Sequence, residues 1–107
     1  MEKVRILYKP EVEYYLFDLV LRLFKKNYFL YLENAELYKD NIVDFVENSI
    51  KSFPSKKTPV KLNSFGSNYI SYKSNSRTTW YIFFEKLNED YLITYIINNH
   101  CEEAKFL

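Results

Sequence analysis

The chain has one cysteine, one glycine, one histidine and three prolines in 107 residues. A lone cysteine rules out an internal disulfide, so the fold must stand on packing alone. With Gly66 as the only glycine, no glycine-rich phosphate loop can form, which removes nucleoside triphosphate hydrolysis by that device. His100 and Cys101, adjacent and without company, fall short of the nitrogen and sulfur ligands of a structural zinc, and no metal or other cofactor is expected. Apolar runs stop at four or five residues, as in Trp80 to Phe84, against the roughly 18–20 needed to cross a bilayer, so no membrane span is expected. Met1 to Lys9 alternates charged and apolar side chains without the apolar centre or cleavage site of a secretory signal. A cytoplasmic location is the expectation, and the solitary thiol agrees with it.

What the chain does have is aromatic bulk. Apolar residues make up 48% and aromatics 20%, with Tyr 11, Phe 9 and Trp 1, enough for one core and too much for intrinsic disorder. A single domain over residues 1–107 follows. The net charge of +1 hides a split. Between Glu47 and Glu85 there is no acid, while Lys51, Lys56, Lys57, Lys61, Lys73 and Arg77 all fall there, leaving the remainder of the chain net acidic. A cationic stretch of this kind attracts phosphate or acidic peptide.

Periodicity divides the chain into elements. Lys3 to Tyr8 alternates like a strand, and Pro10, followed by Glu11 and Glu13, opens a helix that should run to about Lys26. One stripe on it, Val12, Leu16, Leu19, Val20 and Leu23, is expected to pack on a sheet. A second, Tyr14, Phe17, Leu21 and Phe24, should pack on a neighbouring helix or, failing that, on another protein. Leu32 to Phe53 repeats at helical spacing, and the short break at Asn27 to Tyr31 favours an antiparallel helical hairpin. Ser52 to Gly66 reads as loop. Three strands follow, Asn68 to Lys73, Thr78 to Lys86 and Tyr91 to Asn98; the apolar run in the second makes it central, with both faces covered. The expected fold is α+β: a strand, a helical hairpin and a three-stranded antiparallel meander, with the helices on one face of a four-stranded sheet.

The chemistry these residues allow is metal-free RNA cleavage. A base takes the 2′-hydroxyl proton, a cation steadies the phosphorane and an acid protonates the leaving oxygen. His100, just past the last strand, is the residue suited to proton transfer near neutral pH. Arg77 can hold the phosphate. Lys56, Lys57, Lys61 and Lys73 can hold the strand, and Tyr81, with Tyr69 and Tyr72, can stack on a base. His100, Arg77 and the lysines are expected at a common rim of the sheet.

The opening KVRILYKPEVEYYLFDLV and the closing TTWYIFFEKLNEDYLITYIINNH, with the helical pair and basic loop between, resemble the RelE/ParE toxin superfamily over nearly the whole chain. The resemblance implies a toxin of a type II toxin–antitoxin system, neutralised by a cognate antitoxin, that acts on the ribosome as a messenger RNA endonuclease. His100 falls where many members carry histidine or lysine, and Lys56, Lys57 and Lys61 match their loop lysines in kind. Cys101 stands where members commonly carry arginine, Arg77 lies slightly before the usual arginine of the penultimate strand, and Phe106 and Leu107 occupy the place of a tyrosine in the ribonuclease members. Two alternatives stay open: a toxin of this fold that blocks a protein such as DNA gyrase, and a small interaction module without enzymatic activity. The basic loop is the expected antitoxin contact, and oligomeric state is left open.

Overall fold

A computed structural model describes residues 4–25, 31–52 and 54–107. Pro10 costs no hydrogen bond at a first helical turn, and α1 (Pro10–Lys25) starts there, with Glu11 and Glu13 at its positive end and Arg22 and Lys25 at its negative end. Before it lies β1 (Ile6–Tyr8), and after it α2 (Leu32–Ser49). Lys3, Lys26 and Phe53, with most of the break between the helices, lie outside the described residues.

The first α1 stripe behaves as its spacing predicts. Val12, Leu16 and Leu19 join Ile42, Val46 and Ile50 in one core against Ile70, Ile82, Phe84 and Ile93 of the sheet. Taking each such side chain out of water contributes about 1.5–3 kcal/mol. The second stripe is covered only in part: Phe17 and Leu21 face α2 across a hollow, and Tyr14 and Phe17 stay 72% and 64% exposed. The Tyr8 hydroxyl donates to Glu47 Oε2 at 2.5 Å and ties β1 to α2.

The sheet has five strands and is mixed, not four and antiparallel. Its order is β1-β5-β4-β3-β2, with β2 at Lys56–Lys57, β3 at Asn68–Lys73, β4 at Thr79–Leu87 and β5 at Asp90–Asn98. β1 runs parallel to β5, Ile6 opposite Tyr91, because the helical hairpin carries the chain across before the meander returns. β2 is two lysines inside the stretch expected to be loop; backbone pairing with Tyr69 and Asn68 makes it a strand, and no side-chain alternation announces it. The same stretch holds a 3-10 helix, Val60–Phe65, whose Leu62 is buried.

β4 is central and covered on both faces, as its apolar run requires. Trp80, Ile82 and Phe84 meet the helices, while Tyr81 and Phe83 meet Leu62, Phe65 and the C-terminal segment, where a second 3-10 helix runs Glu102–Phe106. At the β4–β5 turn Asn88 adopts φ 57, a left-handed conformation that asparagine tolerates. In β5 the register shifts, with Phe83 opposite Tyr95 and Phe84 opposite Ile93, leaving Thr94 as a bulge. Parity then inverts, so Ile93 and Ile96 both reach the helical core. Thr94 Oγ1 donates to the Phe65 carbonyl at 2.5 Å, so close to Gly66 that a Cβ there would lie 2.4 Å from that oxygen. The one glycine is needed for this approach.

Candidate active-site cleft

The end of the sheet where β3 stops, β4 starts and β5 stops is shaped by three asparagines. Asn75 Oδ1 accepts the Arg77 N–H at 2.8 Å, and Asn98 Oδ1 accepts the His100 N–H at 2.8 Å. Each is a side chain closing a turn onto the backbone two residues later, which is why asparagine suits these positions. Asn99 joins the two turns. Its Oδ1 accepts the Thr79 N–H at 2.9 Å and its Nδ2 donates to the Arg77 carbonyl at 3.1 Å. Arg77 and His100 are therefore set by backbone from two turns locked to one another. The His100 imidazole is held in its turn by Thr78, with Nε2 3.3 Å from Oγ1.

Beside these turns lies a cleft of about 500 Å³, walled by α1 and α2 on one side and by the turns on the other. Trp80, 2% exposed, forms part of the floor. Its Nε1–H donates to the Tyr38 hydroxyl at 3.0 Å, Tyr38 lies 2.9 Å from Ser74 Oγ, and Ser74 Oγ reaches the Thr78 carbonyl at 3.3 Å. A serine hydroxyl has one proton; if it goes to Thr78, Tyr38 donates to Ser74, and the chain runs in one direction from the sheet to the turn. Through it α2 braces the loop that carries Arg77.

From α1 the cleft receives Tyr15, Leu19, Arg22 and Leu23, neighbours at helical spacing. Burial pushes the Tyr15 phenol up, against a smaller opposing pull from Arg22, so it stays a neutral donor. Arg22, Arg77 and His100 line the cleft, and no carboxylate does among the described residues. Arg22 Nε binds Asp18 at 2.8 Å, whereas the Arg77 guanidinium makes no ion pair among the described residues.

The chain matches no protein-family model, no curated protein and no solved structure.

The structure thus brings together two of the residues singled out from sequence, keeps Lys73 near them and separates the other lysines and Tyr81. Arg77 and His100 share the cleft, and Lys73, opposite Thr79, stands exposed at the same end of the sheet. The common rim must be corrected for the other lysines. Lys56 and Lys57 pair with Tyr69 and Asn68, toward the opposite end of β3 and on its outer edge. Lys61 sits in the 3-10 helix beyond the other face, its Nζ 5.6 Å from the Phe106 ring centre. Tyr81 points to that face too, edge-on to Tyr69 with centroids 6.0 Å apart. Period-two alternation tells which residues share a face but not which face the helices take. The missed contributors are Arg22, Tyr15, Tyr38 and the asparagines. An available signal was the Asn-x-Arg and Asn-x-His spacing, which marks side-chain-closed turns; another was Tyr15-Leu19-Arg22 on one helical face.

Among the described residues no group of three or more His, Cys, Asp or Glu gathers in a way that could hold a metal ion. No described helix is long and apolar enough to cross a membrane.

Proposed function

We propose that the protein is the toxin of a type II toxin–antitoxin pair and acts in the cytoplasm as a ribosome-associated messenger RNA endonuclease whose chemistry runs on side chains alone. The observation that carries this reading is the convergence of Arg77, His100 and Arg22 on one cleft whose described lining holds no carboxylate. Such a site favours a phosphodiester and disfavours an acidic substrate lacking that geometry.

In this reading the strand enters with a phosphate at Arg77. His100 removes the 2′-hydroxyl proton, the 2′-oxygen bonds to phosphorus, and the bond from phosphorus to the 5′-oxygen breaks. The leaving oxygen takes a proton from water or from the imidazolium, and a 2′,3′-cyclic phosphate remains. The Arg77 guanidinium steadies the extra charge on the phosphorane, a role suited to an arginine without a carboxylate partner among the described residues. Neutral Tyr15 can donate a hydrogen bond to the same oxygens.

The antitoxin has a surface to cover. Phe17 and Leu21 line a second hollow of about 480 Å³ between α1 and α2, with Glu13, Glu36 and Lys39 in its lining, the Lys39 amine being taken up by Asp40 at 2.6 Å. An apolar helix flanked by basic residues fits that combination.

Induced expression should arrest growth and yield cut messenger RNA with cyclic phosphate ends, and Arg77→Ala with His100→Ala should restore growth. Arrest that persists in the double variant removes both residues from the mechanism. Intact RNA together with blocked supercoiling by purified gyrase would transfer the reading to a protein target.

A further inference from the structure

The cleft has cations on both walls, and only one wall is needed for the cleavage step described above. Arg77 and His100 stand on the turns, while Arg22 stands opposite on α1. Arg22 is held from two directions: Asp18 accepts from Nε at 2.8 Å, and the guanidinium carbon lies 5.5 Å from the centre of the Tyr15 ring. Asp18 is four residues before it, so one turn of helix fixes the geometry. The terminal amino groups carry the other four of the five guanidinium N–H donors; they also meet the Tyr15 hydroxyl and keep donors for further acceptors. Between the walls the floor is apolar, with Leu19 and Trp80 both buried. A volume of about 500 Å³ is far more than one phosphate fills and lies within the range of nucleotide-sized sites.

We infer that Arg22 is a second phosphate-binding residue, so that the cleft takes a nucleoside with the phosphates on both of its sides, two consecutive phosphodiesters of one RNA strand, and not a single phosphate. The inference rests on the reading of the cleft as an RNA site and adds to it the substrate unit recognised. The Asp18 carboxylate and the Tyr15 ring orient the guanidinium before substrate arrives, which reduces the ordering cost of binding. Arg77 and His100 take the phosphate that reacts, and Arg22 takes its neighbour, setting the register of the strand.

The test compares adenosine 3′,5′-bisphosphate with adenosine 3′-monophosphate, neither of which can be cleaved, by calorimetry and by the fluorescence of Trp80, the only tryptophan. The full-length protein should bind the bisphosphate about tenfold more tightly than the monophosphate, the effect of one added charge-assisted contact. In Arg22→Gln that gain should shrink to about twofold or less, with monophosphate affinity nearly unchanged. Asp18→Asn leaves the guanidinium charged but held chiefly by the Tyr15 ring, and the gain should fall there as well, by about threefold. An undiminished gain in Arg22→Gln, equal binding of the two nucleotides by the unaltered protein, or a larger gain in Asp18→Asn would each overturn the inference while the RNA reading stands. Failure of the unaltered protein to bind either nucleotide or single-stranded RNA would overturn the RNA reading, and the inference with it.

Discussion

α1 walls two hollows of nearly equal size and opposite character. On one side Tyr15, Leu19 and Arg22 look onto a cleft whose other wall carries Arg77 and His100; on the other, Leu16, Phe17 and Val20 border a groove with Glu13, Glu36 and an Asp40-paired Lys39. The cationic cleft is fastened by hydrogen bonds from asparagine side chains and by the Trp80, Tyr38 and Ser74 chain. The apolar groove leaves large side chains such as Phe17 exposed. The difference separates two kinds of recognition. A braced polar site suits chemistry on a small charged group, while an open apolar groove suits a surface that gains by being covered.

Several substitutions would break or sharpen that contrast. The largest effect belongs to the cleft: Arg77→Ala with His100→Ala should lower RNA cleavage by about 10²–10⁴-fold, the ordinary contribution of acid–base catalysis. Thermal unfolding should stay within about 0.5 kcal/mol, since both side chains are exposed. Undiminished cleavage would show that the cleft is not where the reaction occurs.

Next comes the shared wall. Leu16→Ala, at 7% exposure, should cost about 2–5 kcal/mol in denaturant unfolding. Trp80→Phe keeps a ring but removes the donor to Tyr38, and should cost about 1–3 kcal/mol. A near-zero cost for Trp80→Phe would mean that the chain to the turn does not brace it.

Smaller in stability but specific to the groove, Phe17→Ser should leave unfolding within about 0.5 kcal/mol and weaken antitoxin binding about tenfold or more. Charge reversal at Lys56, Lys57 and Lys61 should weaken it by only about threefold, through slower encounter. The opposite ranking, read by titration of each variant with the antitoxin, would move the contact from the groove to the basic loop.

The least effect lies outside both hollows. The Arg5 guanidinium, 2.6 Å from Asp90, holds that carboxyl below its ordinary value, mainly by hydrogen bonding. A depressed carboxyl contributes stability above the unfolded value, near 4, and loses it as pH falls through the lower folded value. Arg5→Gln should therefore lower the melting temperature slightly at neutral pH, and the gap to the unaltered protein should close as pH falls below about 4, both effects being small because the pair is solvent-screened. An acid limb identical to that of the unaltered protein would exclude the pair as a contributor.

How much of this was legible in the residues differs by element. β3 was readable to the residue, and β4 and β5 to within one at each end, because alternation, apolar runs and turn residues all agree there. α1 was marked at its start by Pro10 and its acids. β2 was not readable, since Lys56 and Lys57 become a strand only through the backbone of β3. Nor was the inversion at Thr94, because a bulge alters parity without altering composition. At the site, His100 and Arg77 stood out as types of residue, but their meeting depends on Asn99 bridging two turns that lie 22 residues apart in sequence. Arg22 is marked in the sequence only by sharing a helical face with Tyr15 and Leu19.

The sequence by itself determined the α+β class, the central place of β4 and the stripe of α1 that enters the core, since each follows from local periodicity and the removal of apolar surface from water. Tertiary structure alone decided which cations share a cleft. Lys56, Lys57 and Lys61 were separated from His100 by the register of β2 and the face of the sheet on which the helices settled. The physical reason is that a strand pattern specifies two faces without assigning a neighbour to either. Long-range pairing and packing make that assignment, and with it the place where charge collects.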